Sequence, residues 1–569
     1  MKRLRRVILL LVVVALLVWW LLPAGGPHVQ PGSVLAIQLS GAYVESSAPS
    51  FVARALGEAR QPFISILGEF AKAERDSRIR AVALRVRRLE IGWAMAQELR
   101  GAIGKLRAAG KPTVAVLETG SLGANLEYYV ASAADQVLFS PGTSGPLVGL
   151  GMEFFFLGDL WKKIGVDPQV VSVGEYKSAA ESIAGTRMSP AHREMATSLL
   201  DAMWGEFVGG IAESRGLSTE AVRDAIDAAP ATAAELEALG LADGTASFDA
   251  AVAGLGSTRI EDTEYRAVDA AEVGFAPVAR FALVYGSGLV VMGDGTQSPT
   301  GGLRLSSDTV SHALIEAAED PSIDAIIFRV DSPGGSALAS EIVWDAARRA
   351  EELGKPLVAS VSNVAASGGY YVLAGADAVV ASAGSLVGSI GVYLVRASVG
   401  GLLGKLDIGV ETLVRGRDAE ILVPSRPLSE SGRARLQREV QGVYDLFVAR
   451  VSEGRGLSVE EVDVVGRGRV WTGAQARERG LVDELGGLST AVRVAKRQVG
   501  LPEDADVVLV PHPAPRSLAE EVLDALNASV VRAALPLDWP PFVERLDSWV
   551  TALSGGQPAL VPPVVLDIR

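Results

Sequence analysis

Asp324-Ala325-Ile326-Ile327-Phe328-Arg329-Val330 runs without a break into Asp331-Ser332-Pro333-Gly334-Gly335-Ser336. The first seven residues read as a buried strand, because a short apolar run bounded by turn residues fits a strand covered on both faces. The glycines that follow let the backbone approach a ligand closely and turn N–H groups toward it. Ala337–Glu352 then reads as an amphipathic helix, ended by Gly354 before Pro356. Leu357–Ser362 is a second strand, a helix begins near Ala366, and Ala378–Ser382 is a third strand. Strand–helix alternation of this kind predicts an α/β fold.

The same order of segments occurs earlier in the chain. Arg80-Ala81-Val82-Ala83-Leu84-Arg85-Val86 resembles the first strand, and Ala109-Gly110-Lys111-Pro112-Thr113-Val114-Ala115 resembles Leu353-Gly354-Lys355-Pro356-Leu357-Val358-Ala359. Tyr128-Tyr129-Val130-Ala131-Ser132-Ala133-Ala134-Asp135 resembles Tyr370-Tyr371-Val372-Leu373-Ala374-Gly375-Ala376-Asp377. The offset is far too long for a solenoid repeat, so a whole domain is duplicated. Composition places the copies at residues 31–270 and 271–505. A segment of unassigned role, 506–569, follows them; from Pro511 it holds an amphipathic pattern over Ser517 to Leu535 and a Pro-rich end.

Residues 1–30 form a separate unit. Met1-Lys2-Arg3-Leu4-Arg5-Arg6 precedes an apolar run from Val7 to Leu22, with Trp19 and Trp20 near its far end. A basic start and an interfacial tryptophan pair describe a membrane anchor with its N-terminus in the cytoplasm. A cleaved signal peptide is the alternative, but Pro23-Ala24-Gly25-Gly26-Pro27 lacks a convincing cleavage site. The 569 residues carry a net charge of −14 and no basic run beyond the N-terminus, which argues against a nucleic-acid partner. Cysteine is absent, which removes disulfides, thiol nucleophiles and thiolate metal sites.

A second glycine-rich loop, Ala365-Ala366-Ser367-Gly368-Gly369-Tyr370-Tyr371, follows the next strand and opens a helix. A serine at a positive helix end is well placed for a nucleophile. N–H groups of Gly368 and of Gly334 or Gly335 are positioned to converge on one developing oxyanion. Taken singly, such loops are more often plain tight turns. None of the four histidines (His28, His192, His312, His512) lies in a loop resembling an active site, and all read as surface or capping residues. Lysine replaces histidine as a base when burial lowers its pKa. Lys2 belongs to the membrane flank, and Lys111 and Lys355 sit in turns before proline that read as exposed. Lys177 differs: an apolar strand, Val170-Val171-Ser172-Val173, runs through Gly174-Glu175-Tyr176 into Lys177-Ser178-Ala179-Ala180. Most lysines are solvated, so spacing alone leaves it one candidate among others.

The copies are also asymmetric. Asn125 falls where Ser367 stands, Arg87-Arg88-Leu89-Glu90-Ile91 replaces the Asp331–Gly335 loop, and the region around Arg417-Asp418 replaces Tyr176-Lys177. Each half lacks what the other has, as expected if one site is assembled between them.

Together with Gly388-Ser389-Ile390-Gly391-Val392, these motifs resemble the long, duplicated form of signal peptide peptidase A, a bacterial Ser–Lys peptidase of the Clp-protease/crotonase superfamily (S49-type). The resemblance implies an α/β fold of tandem duplicated Clp-protease/crotonase-like domains with an N-terminal transmembrane helix. It implies Ser367 as nucleophile, Lys177 as general base, and Ser389 as the residue that orients the lysine. It further implies no cofactor or metal, peptide substrates such as signal-peptide remnants, and a homotetramer. The catalytic body would lie outside the bacterial cytoplasmic membrane on a single span. The segment beyond Pro511 departs from the family pattern. Two rivals stand beside this reading: an acyl-CoA hydratase or isomerase on the same fold, and a membrane-tethered scaffold without catalysis.

Overall fold

The computed structural model describes residues 27–46, 61–120, 123–295, 303–513 and 559–560. The expected anchor, Val7 to Leu22, and the helical pattern of Ser517 to Leu535 lie outside them. Among the described residues no helix is long and apolar enough to cross a membrane.

The first copy builds a parallel sheet from β1 (Ser33–Gly41), β2 (Ile79–Leu89), β3 (Thr113–Leu117) and β4 (Gln136–Phe139). Strand β5 (Asp167–Val173) leaves that sheet, and β6 (Arg259–Glu261) returns to it, giving the order β4-β3-β2-β1-β6. The second copy repeats this with β7 (Ala279–Ser287). After β8 (Leu289–Val291) and β9 (Arg304–Ser306) come β10 (Ala325–Ser332) and the two-residue β11 (Gly335–Ser336). Then follow β12 (Leu357–Ala366), β13 (Ala378–Ala381), β14 (Leu386–Gly388), β15 (Val392–Ser398), β16 (Val470–Thr472), β17 (Glu484–Leu485) and β18 (Val507–His512). The parallel strands β13, β12, β10, β7 and β18 match β4, β3, β2, β1 and β6 in order. The edge strand β18 therefore lies past residue 505, where composition ends the copy, and is the counterpart of β6.

The duplication extends to single hydrogen bonds. Tyr128 Oη donates to Leu241 O at 2.6 Å, and Tyr370 Oη to Leu481 O at 2.8 Å. Asp135 accepts from Thr113 N–H at 2.9 Å, and Asp377 from Leu357 N–H at 2.8 Å. Helix α1 (Pro190–Arg215) and helix α3 (Glu430–Arg455), separated by α2 (Ala337–Glu352), are each 26 residues long. Both begin after a serine cap and end at a left-handed glycine, Gly216 or Gly456. Each copy has its own principal core: one drawn from residues 29–273, the other from 282–482 with Val171 added.

Helix α2 has the span its periodicity predicts. Strand β12 is longer than predicted, running to Ala366 rather than Ser362. Lys111 and Lys355 correct the expectation of exposure. Lys111 is buried and donates to Asp76 O and Ile79 O, both at 2.7 Å, while Lys355 donates to Ile323 O at 2.5 Å. Each amine satisfies carbonyls in the turn that enters the neighbouring strand, so the long stem folds inward. His192 is corrected too. Its backbone N–H joins the Ser189 cap, but its ring is fully buried, edge-on to Phe154, with Nδ1 3.2 Å from Glu181 Oε2.

Two of the features that join the copies lie close to the site. Strand β5 pairs antiparallel with β15 over seven residues, from Asp167↔Ser398 to Val173↔Val392. Arg329, in the middle of β10, is buried with no exposure at all. Its guanidinium reaches Glu45 Oε1 at 2.6 Å and Glu98 Oε1 at 2.5 Å, both on the first copy, and Ser360 Oγ at 2.9 Å. Removing one partner from such a cluster leaves a charge buried without compensation. Arg329→Ala is expected to cost about 3–5 kcal/mol in urea unfolding; a loss below about 1 kcal/mol would show the cluster carries no such weight.

Candidate active site

Strand β12 delivers Ser367 at its end, and the chain passes from it into a single helical turn, Gly368–Tyr371. Ser367 sits at φ 57°, ψ −121°, a conformation that non-glycine residues adopt only when the surroundings impose it. Its N–H donates to Gly388 O at 2.7 Å, and its carbonyl accepts from Tyr370 and Tyr371 N–H, both at 2.9 Å. The turn is packed against the Asp331–Gly335 loop. A methyl group built on Gly369 would stand 2.4 Å from Ser332 O, and one on Gly368 would stand 3.0 Å from Gly335 N. The two glycine loops thus present their backbones to each other. The Gly334 N–H already donates to Ser332 Oγ at 3.2 Å.

The lysine arrives from the other copy. Beyond β5 the chain turns at Gly174, Tyr176 N–H donates to Arg467 O at 3.0 Å, and Lys177 is directed inward. Gly468, at φ 83°, is required there: a methyl group on it would lie 2.5 Å from Lys177 N. Lys177 is 3% exposed. Its Nζ is 2.7 Å from Ser367 Oγ, 2.8 Å from Ser389 O and 2.9 Å from Ser389 Oγ. Ser389 is itself at φ 51° and fixed by its N–H to Arg469 O at 2.7 Å. Burial holds the Lys177 amine well below the usual lysine pKa, and among the described residues no carboxylate offsets the effect. Ser367, Lys177, Ser389, Gly334, Gly335 and Gly368 therefore surround one point, with the lysine from one copy and the rest from the other.

Asp331 has a further place that the motif alone does not reveal. Between Val330↔Val361 and Ser332↔Ala365, strand β12 advances two residues more than β10. The Asp331 carboxylate fills the resulting gap, accepting Val364 N–H at 3.0 Å. Desolvation, then the charge of Glu45, pushes its pKa up to about 6. Asn363, in the same bulge, accepts Met95 N–H of the first copy at 3.3 Å. Sequence reading missed Glu45, Glu98 and Asn363. The one available signal was an arginine inside an apolar strand, which demands a buried partner.

Among the described residues the first copy has no comparable centre. Asn125 spends its side chain on the backbone, donating to Gly149 O at 2.9 Å and accepting from Val148 N–H at 3.1 Å. Arg417 is exposed. His28 and His312 are exposed, and His512 is buried at the end of β18, its Nδ1 3.1 Å from Val510 O. Among the described residues no cluster of His, Cys, Asp or Glu is arranged to hold a metal.

A family model described as peptidase family S49 matches residues 105–259 and 349–502, once in each copy. "Serine protease SPPA, chloroplastic" of Arabidopsis thaliana is 31% identical over 474 residues, covering 81% of this chain and 69% of that one. "Protease 4" of Haemophilus influenzae is 31% identical over 463 residues, covering 77% of this chain and 73% of that one. Among solved structures, a 1510-N membrane-bound stomatin-specific protease with a substrate peptide is 14% identical and covers 44% of this chain and 97% of that one. Its TM-score of 0.27 is too low to bear on the fold.

Lys177 makes stability depend on pH with a definite sign. Its folded pKa lies below its unfolded value, so between the two the unfolded chain binds the extra proton and stability rises with pH. Against Lys177→Met, the wild type is expected to gain stability steadily as pH rises toward ~10.4, the free lysine value. Urea unfolding of both proteins across that range checks this, and a constant difference would mean that the lysine is not desolvated.

Proposed function

The chain belongs to peptidase family S49 and is a serine-type peptidase, and from that footing we propose that it is a membrane-anchored endopeptidase working through a Ser367–Lys177 dyad. The observation that carries the reading is the 2.7 Å contact between Ser367 Oγ and the Nζ of a buried lysine. A neutral amine has two N–H donors and one lone pair. Those match its three partners: Ser389 O and Ser389 Oγ accept, and the Ser367 hydroxyl donates.

In this mechanism Lys177 takes the Ser367 proton as Oγ attacks the peptide carbonyl. The oxyanion is held by the N–H groups of Gly368 and the Gly334-Gly335 loop. Because Gly334 already donates to Ser332 Oγ, Gly335 is favoured as the second donor. The C–N bond then breaks, and the protonated lysine gives its proton to the leaving amine. Water, deprotonated by the same lysine, hydrolyses the acyl ester and restores Ser367. Ser389 keeps the amine aimed at the serine throughout.

Substrate geometry follows from two strand edges. Strand β11 is paired on one side with β8, and β15 on one side with β5; their other edges face each other with room for one strand between them, where Ala559–Leu560 lies. Gly335 opens β11 and Ser389 precedes β15, so an extended peptide lying between them passes the dyad. Main-chain recognition of this kind takes unfolded segments with little regard to sequence. Signal-peptide remnants and other apolar segments suit it, and an anchor at Val7 to Leu22 would raise their local concentration at the bacterial cytoplasmic membrane. A homotetramer with its catalytic bodies on the far side of that membrane completes the reading. Family membership and the Ser367–Lys177 contact weigh against the hydratase and the inert scaffold.

A serine-reactive fluorophosphonate is expected to add once to the wild type, at Ser367, and not to Ser367→Ala or Lys177→Ala, as read by intact-protein mass spectrometry. Equal labelling of Lys177→Ala would remove the lysine from the mechanism. Ser389→Ala is expected to lower kcat by about 10–100-fold through loss of a hydrogen bond to an amine that becomes charged, with KM little changed.

A further inference from the structure

A short stretch of the second copy, Arg467-Gly468-Arg469, touches both of the turns that meet at the Lys177 amine. The Arg467 carbonyl accepts Tyr176 N–H at 3.0 Å, at the residue before the lysine. Gly468 N–H donates to Ile390 O at 2.6 Å, and the Arg469 carbonyl accepts Ser389 N–H at 2.7 Å. The stretch precedes β16, which begins at Val470, so the sheet ladder does not fix it. Arg467 at φ 51° and Gly468 at φ 83° are left-handed, and a non-glycine residue keeps that conformation only where its neighbours impose it.

The Arg469 side chain supplies a restraint that spans the copies. Its guanidinium carbon lies 4.7 Å from the ring centroid of Tyr176, in the first copy, and 4.4 Å from that of Trp471, in the second. Its Nη1 is 2.7 Å from Glu194 Oε1 on α1, and Tyr176 Oη donates to Glu194 Oε2 at 3.3 Å. Glu194 is more than half exposed, so water screens the ion pair itself. The arginine side chain is only 15% exposed, and a cation held against aromatic faces and away from water is bound more firmly. Arg467 differs: its guanidinium is nearly half exposed and pairs with Asp463 of its own copy at 2.8 Å.

We propose that Arg469 is a positioning residue of the site, clamping the Lys177 turn of the first copy to the Ser389 turn of the second. This role rests on the peptidase reading and deepens it. One residue holds both turns: its carbonyl fixes Ser389, and its side chain fixes Tyr176, the neighbour of Lys177. A lysine stem is long and flexible, so its amine is placed only as well as the backbone on either side of its contacts. A misplacement of about 1 Å costs on the order of 100-fold in rate. Loosening the clamp also lets water reach the amine, and a hydrated amine keeps its proton to higher pH.

The test uses the full-length chain, with active sites counted by fluorophosphonate labelling carried to completion. Arg469→Ala is expected to lower kcat per labelled site by about 10–100-fold, with KM little changed. The acidic limb of its kcat/KM profile is expected to move to higher pH, because the working form of Lys177 is the neutral amine. Tyr176→Ala is expected to do the same, and the double variant to be no worse than the worse single one, since both act through one contact. An arginine that only braces the fold changes the number of active sites and not their behaviour, so an unchanged kcat and an unmoved limb in Arg469→Ala would overturn the proposal. Multiplying losses in the double variant would overturn it as well. Should Arg469→Ala fail to fold, Arg469→Lys keeps a cation beside Glu194 but not the plane between the rings. It is expected to show the same two changes, and wild-type values would count against the clamp. If the wild type labels at Ser367 and the Arg469 variants behave as it does, the clamp fails and the peptidase reading stands. If the wild type neither labels nor turns over peptide, the peptidase reading fails and unfolding alone judges the clamp. The pH-dependent stability gain of Lys177 over Lys177→Met is then expected to shrink in the Arg469→Ala background, and an unchanged gain overturns the clamp.

Discussion

The antiparallel pairing of Asp167–Val173 with Val392–Ser398 is the constraint on which the rest depends. It joins the two copies by backbone hydrogen bonds at the point where each runs into its functional turn. Lys177 lies four residues beyond one strand, and Ser389 three residues before the other. Because strand register is quantised, a slip by one residue would reverse which face every side chain points to. A slip by two would displace the lysine by about 7 Å. The pairing is therefore a positioning device as much as a structural one.

The buried Arg329 does similar work behind the site. It sits two residues before Asp331 on the strand that leads into the Gly334-Gly335 loop, and its carboxylate partners come from the first copy. Asp331 then bridges to the bulge in the strand that carries Ser367. The first copy, which contributes Lys177 to the site, thus also holds the loops of the second in place through Glu45, Glu98 and the Met95 N–H. Docking of the copies and the shape of the site are one problem with one solution.

Much of this was legible in the sequence. The repeat, the α/β alternation and the helix Ala337–Glu352 followed from periodicity and turn residues, and the resemblance to the long S49 peptidases agrees with the two family matches. The complementary losses between the copies pointed to a shared site. What periodicity could not supply was any contact across the copies. Nothing near Glu45 in the chain says that its partner is Arg329, and nothing near Lys111 says that its amine folds back onto Asp76 and Ile79 carbonyls. The strand at Val507–His512 was cut off because a composition shift was taken for a boundary. Its pairing with β7 is a long-range fact, visible only once the sheet is assembled.

One consequence concerns salt. In sites where a base is tuned by a neighbouring carboxylate, mobile ions weaken the attraction and shift the proton equilibrium. The amine of Lys177 is tuned by being kept from water, between two serines and a glycine wall, with no counter-charge in contact among the described residues. Exclusion of water is a property of packing, and dissolved ions do not screen it. The protonation of this amine should therefore be the same in dilute and concentrated electrolyte.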